Sequence, residues 1–121
     1  MQNYHILLSG PSIFCDQELI DTIEEFAAVS TLSDNTQIHK LASNIFYDLI
    51  LFEIGAGKSS DFDILKMLNT QFPDSIIIIV DGNGDSELLA TAISFGVKDV
   101  FKKPYKYQLI AERVNALLKL K

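Results

Sequence analysis

The run Ile76-Ile77-Ile78-Ile79-Val80 constrains this chain more than any other feature. Every residue in it is β-branched, a composition that favours a pleated strand. No polar residue alternates with them, so a strand here has to be covered on both faces. That is the setting of a central strand in a parallel sheet, with helices packed above and below. Four more strand-like runs follow the same logic: Tyr4 to Leu8, Val29 to Leu32, Leu49 to Ile54, and Val100 with Phe101.

Amphipathic segments separate the runs. Ser12 is expected to cap a helix carrying Leu19, Ile20, Ile23 and Phe26–Ala27 on one face. Asp34 is expected to cap a second, with Ile38, Leu41, Ala42 and Ile45. Ser60 or Asp61 starts a third, with Phe62, Leu65 and Leu68. Asp85 caps a fourth through Leu88, Leu89, Ala92 and Ile93, which Gly96 ends in a left-handed turn. After Pro104 a last helix turns Leu109, Ile110, Val114, Leu117 and Leu118 inward. Strict alternation of strand and helix gives an α/β domain with a doubly wound parallel sheet. At 121 residues the chain is expected to be a single domain, 1–121, without linkers or repeats.

Composition excludes several classes. An apolar fraction of 48% with a net charge of −6 marks a globular chain. No apolar stretch reaches membrane-span length, and the start lacks the basic and apolar regions of a signal peptide. Cys15 is the single cysteine, so a reduced, cytoplasmic setting is expected. It is read as a plain packed cysteine. Charge is uneven: residues 98 to 121 hold seven basic and two acidic groups, a local +5, and the remainder carries −11. Overall acidity disfavours nucleic acid, whose affinity comes largely from cationic groups.

Gly55-Ala56-Gly57-Lys58-Ser59 resembles part of a phosphate-binding loop, but that motif needs a glycine where Phe52 stands. It is read as a Gly-rich loop, and Gly82-Asn83-Gly84 as a turn. His5 and His39 lack neighbours at ligand spacing, so no metal or triad role is expected.

The strand ends carry the information. In an open α/β sheet the working site lies at the carboxyl ends of the strands. Those ends deliver Ser9-Gly10, Glu53, Asp81 and Lys103. Lys103 precedes Pro104 and is held extended. It is expected to pair with Glu53 or Asp81.

With these residues in place, the chain resembles a receiver domain of a two-component response regulator (the CheY-like family) from Tyr4 to Leu120. Asp48-Leu49-Ile50-Leu51-Phe52-Glu53-Ile54 resembles the family's phosphoacceptor strand. Phe95-Gly96-Val97-Lys98-Asp99-Val100-Phe101-Lys102-Lys103-Pro104-Tyr105 resembles its Gly-Ala-x-x-Tyr-x-x-Lys-Pro-Phe signature. The resemblance implies a flavodoxin-like (βα)5 fold with strand order 2-1-3-4-5. It also implies a phosphorylation site, and there this chain departs. Ser9 and Gly10 stand where the family's Mg²⁺-binding acids are, Glu53 where the phosphoacceptor Asp is, Asp81 where the switch hydroxyl is, and Val100 where the switch aromatic is. Lys103 and Pro104 are retained.

The departures imply a pseudo-receiver that is not an enzyme, binds no metal or cofactor and works by protein contact. Glu53 either imitates a phosphoaspartate or simply holds Lys103. The family's partner face, formed by its fourth helix, fifth strand and fifth helix, would here include Lys98, Lys102, Lys106 and Tyr107. Protein partners in a signalling pathway are expected there, a homodimer among the options, with no nucleic acid or membrane. Two other readings stay open: a phosphorylatable receiver with unusual chemistry, and a flavodoxin-like binder of a nucleotide or small molecule. The latter needs a phosphate cradle after the first strand. Gly10-Pro11-Ser12 is the candidate, weakened because Pro11 has no N–H.

Overall fold

The computed structural model describes residues 4–41, 45–54, 60–82 and 86–120. Five strands form one parallel sheet: β1 (His5–Ser9), β2 (Ala28–Leu32), β3 (Leu49–Ile54), β4 (Ile76–Asp81) and β5 (Asp99–Lys102). Their order is β2-β1-β3-β4-β5, the doubly wound arrangement expected. Four α-helices cover it: α1 (Gln17–Ile23), α2 (Ser60–Gln71), α3 (Ser86–Ser94) and α4 (Tyr107–Lys119).

The two-residue period of the strands builds two cores. Ile6, Leu8, Leu49, Leu51, Ile78 and Val80 face α1 and α4. Leu7, Ile50, Phe52, Ile54, Ile77 and Ile79 meet Leu65, Leu68 and Ala92 on the opposite side. Both sides of β3 and nearly all of β4 are therefore buried, as the unbroken apolar runs require. In α4, Ile110, Ala111, Val114, Leu117 and Leu118 form one buried stripe at helical spacing. Gly96, with φ +87°, ends α3, and its N–H bonds the carbonyl of Ile93.

The structure differs from the expected helices at several points. Ser12 does not cap an α-helix. A 3-10 turn, Ile13–Cys15, follows it, and α1 begins only at Gln17, with Asp16 as its cap accepting from the N–H of Leu19. The segment after Asp34 is a 3-10 helix, Asn35–Lys40, not an α-helix. Asp34 does cap it, through the N–H of Thr36. Leu41 is already extended and Ile45 is exposed, because the backbone leaves the helical path before their turn would come. Leu109 is exposed, lying one position outside the buried stripe of α4. Cys15 is exposed on the 3-10 turn rather than packed. Ala42, the loop 55–59, Asn83-Gly84 and the Asp85 cap lie outside the described residues, as do the side chains of Phe62, Leu88 and Leu89. No helix among the described residues is long and apolar enough to cross a membrane.

Candidate functional site

Glu53 sits one residue from the end of β3, paired in register with Val80. Alternation along the strand gives it the same face as Leu49 and Leu51, toward α1 and α4. Its side chain is nearly inaccessible, at 2% exposure. A buried carboxylate is costly unless donors surround it. Four do. Oε1 accepts from the backbone N–H groups of Ser12 at 2.8 Å and Ile13 at 2.9 Å. Oε2 accepts from the Ser12 hydroxyl at 2.5 Å and from the Lys103 ammonium. Lys103 also donates to Ser12 Oγ at 2.6 Å, closing a triangle of lysine, serine and glutamate. Burial is the largest single influence on the Glu53 carboxyl and pushes its pKa up. The bonds from Lys103, Ser12 and Ile13 together outweigh it, and the pKa lies below the ordinary carboxylate range.

Gly10 makes this arrangement sterically open. A Cβ there would lie 2.2 Å from Glu53 Cβ and 2.6 Å from its Oε1. The backbone has φ +148° as well, which disfavours any other residue. Ser9 is fully buried, and its hydroxyl donates to Asn35 Oδ1 at 2.5 Å. The Asn35 amide in turn donates to the main-chain carbonyl of Glu53 at 2.7 Å. The end of β1, the Asn35 turn and the end of β3 are thus tied beneath the carboxylate. On the far side, the Tyr105 hydroxyl donates to Asp16 Oδ2 at 2.5 Å. Burial, then the Asp16 carboxylate, raise the Tyr105 pKa above the usual tyrosine range. A cleft of about 490 Å³ lined by Ser12, Asp16, Lys103, Pro104 and Tyr105 opens beside the carboxylate.

Of the two partners expected for Lys103, the ammonium meets Glu53. Asp81 is buried and shares its strand parity with Ile77 and Ile79, the opposite set from Glu53. Its main-chain carbonyl accepts from the Lys103 N–H at 2.9 Å. Val100 is half-buried against the α2 and α3 core. Pro104 is exposed, as are Lys98, Lys102 and Lys106, while Tyr107 packs partly against the α1 and α4 core. Ile13, Asn35 and Asp16 belong to the site without a signal in the sequence, whereas Ser12 stands in the candidate cradle Gly10-Pro11-Ser12 and Tyr105 closes the Lys-Pro signature.

The divalent cation implied by the family resemblance does not fit these residues. The Ser9 hydroxyl is engaged with Asn35, Gly10 offers no side chain, and the Glu53 carboxylate is already balanced by Lys103. A hard cation of this size seeks several oxygen ligands, carboxylates among them. Among the described residues no three His, Cys, Asp or Glu side chains cluster to hold a metal.

No family model matches the chain. Among curated proteins it is similar to the transcriptional regulatory protein CiaR of Streptococcus pneumoniae, 25% identical over 114 residues, covering 94% of this chain and 51% of CiaR. It is also similar to the regulatory protein VirG of Agrobacterium tumefaciens, 23% identical over 119 residues, covering 97% of this chain and 44% of VirG. The chain thus spans about half the length of these relatives. Among solved structures, a CheY-like response regulator receiver domain protein from Methanospirillum hungatei superposes with a TM-score of 0.84 at 19% identity, covering 96% of this chain and 94% of that one. The chain is thus similar in sequence to regulatory proteins over about half of their length, and the solved structure shows that it has the CheY-like fold.

Proposed function

We propose that this domain is a pseudo-receiver, a signalling module that works through protein contacts without accepting a phosphoryl group. One observation carries the reading: both oxygens of the Glu53 carboxylate are consumed inside the protein. A phosphoacceptor needs a free oxygen in line with the donor and a cation to neutralise the developing charge. Here the oxygens are held by four donors, and Ser9 and Gly10 stand in the place of metal-binding acids. The lysine that would balance an incoming phosphoryl group is already on Glu53. The site therefore resembles a permanently closed switch.

The partner surface in this reading is α3, β5 and α4. Lys98, Lys102 and Lys106 are exposed there, with Ile93 on α3 and Leu109 on α4 supplying apolar area. That combination suits an acidic protein surface, such as that of a kinase or effector domain. Tyr107, half-buried against the α1 and α4 core, stands on the same face.

The deciding experiment treats the wild-type domain with Mg²⁺ and either acetyl phosphate or beryllofluoride. The expected result is an unchanged mass and an unchanged ¹H–¹⁵N spectrum. Phosphorylation at Glu53, or a saturable spectral change with beryllofluoride, overturns the reading.

A further inference from the structure

The loop after β1, Gly10-Pro11-Ser12, is a weak phosphate cradle by its sequence, since Pro11 has no N–H. Yet it holds an anion: the two N–H groups that follow Pro11 both point at Glu53 Oε1. We propose that Ser12, Ile13 and Lys103 form a small-oxyanion site, and that Glu53 is its built-in occupant, a plug that keeps external oxyanions out. This rests on and deepens the reading of Glu53 as a carboxylate that accepts no phosphoryl group.

Three observations carry it. The donors are arranged as an oxyanion receptor, two on each oxygen: paired backbone N–H groups on one side, a hydroxyl and an ammonium on the other. The space is shaped for the occupant, since Gly10 leaves clear the volume that Glu53 Cβ and Oε1 fill. An approach from solvent also exists. Ser12 and Lys103, two of the donors, line the open cleft of about 490 Å³ beside the carboxylate, and the Lys103 side chain is 31% exposed. Tethered on its own strand, the carboxylate competes at high effective concentration, so a free anion does not displace it. Withdrawing it should leave a vacant site whose ligand class is a one-centre oxyanion, formate or phosphate.

The test uses Glu53→Ala, with Glu53→Gln as the control that still fills the space. Thermal unfolding is followed against sodium formate, sodium phosphate and, at matched ionic strength, sodium chloride. Glu53→Ala should show a saturable rise in Tm with formate, phosphate or both, and none with chloride. The planar and tetrahedral anions separate the two geometries the donors accept. Glu53→Gln should show no such rise. If Glu53→Ala is unfolded without anion, the same titration reads recovery of the folded spectrum. A lack of response to both anions, or an equal response in Glu53→Gln, overturns the proposal. The folded wild type gives an independent arm. Its Ser12 and Ile13 amide signals should stay fixed under formate and phosphate, and saturable movement there would show that Glu53 is no plug. None of these arms involves Mg²⁺ or a phosphoryl donor, so their failure is distinct from failure of the pseudo-receiver reading.

Discussion

Replacing Lys103 by Met keeps much of the aliphatic stem and removes the ammonium. It leaves the Glu53 carboxylate, 2% exposed, without the cationic donor that Lys103 supplies among the described residues. Stripping one partner from a fully buried pair costs about 3–5 kcal/mol, and from an exposed pair about 0–1 kcal/mol. This pair lies between the two, because the lysine side chain is 31% exposed and Glu53 keeps its bonds from Ser12 and Ile13. A loss of about 2–3 kcal/mol at neutral pH follows, or a Tm roughly 10 °C lower for a domain of this size.

The pH dependence gives the sharper test. In the wild type the folded pKa of Glu53 lies below the ordinary value. Its contribution to stability is present above the unfolded pKa, near 4.3, and is lost as pH falls through the folded one. Without Lys103 the first-ranked influence, burial, is opposed only by Ser12 and Ile13, so the folded pKa rises. The stability gap between wild type and Lys103→Met should therefore be largest near pH 7 and close toward pH 3. Urea unfolding at a series of pH values measures it. A gap that is absent, or constant across that range, would refute the ion pair as the stabilising element.

Three further outcomes follow. Gly10→Ala, which sets a Cβ against Glu53 at a positive φ, should lose at least about 2 kcal/mol in urea unfolding, where a neutral result would mean the close approach does not exist. Asn35→Ala strands the Ser9 hydroxyl and the Glu53 carbonyl in the interior and should cost about 2–4 kcal/mol by the same assay; recovery in Asn35→Asp would deny that the amide donor matters. Ultraviolet titration should find two tyrosines of the folded protein, Tyr47 and Tyr105, ionising above the ordinary range, and Tyr105→Phe should remove one of the two late steps while costing about 1 kcal/mol.

The sheet was legible because its signals are local. The runs at β3 and β4 are apolar on both faces, and nothing but a covered strand suits them. The Lys-Pro after β5 and the carboxylate on β3 were legible as site residues for the same reason, since they end strand patterns. The cluster around them was not. Ser12 reads as a helix cap, but its N–H and hydroxyl are spent on a carboxylate 41 positions away, and the capping role passes to Asp16. Asn35 joins the site because a 3-10 helix turns its amide beneath β3, and no nearby residue announces that. Gly10 reads as an ordinary loop glycine until Glu53 is placed against it. Leu109 fits the helical spacing of the apolar face, but the buried stripe is narrower and starts at Ile110.

The Glu53 cluster also has a meaning in the order of folding. Its bonds join residues 41, 50 and 91 positions apart, and the longest, from Lys103 to Ser12, spans most of the chain. Closing such loops costs entropy before any bond repays it. A chain assembled only as far as β4 has the Glu53 carboxylate held by Ser12 and Ile13, and the ammonium arrives with β5. The energy of the ion pair is thus collected at the last stage of assembly. It should act mainly by slowing the fully docked domain from coming apart, and little on how fast the sheet first forms.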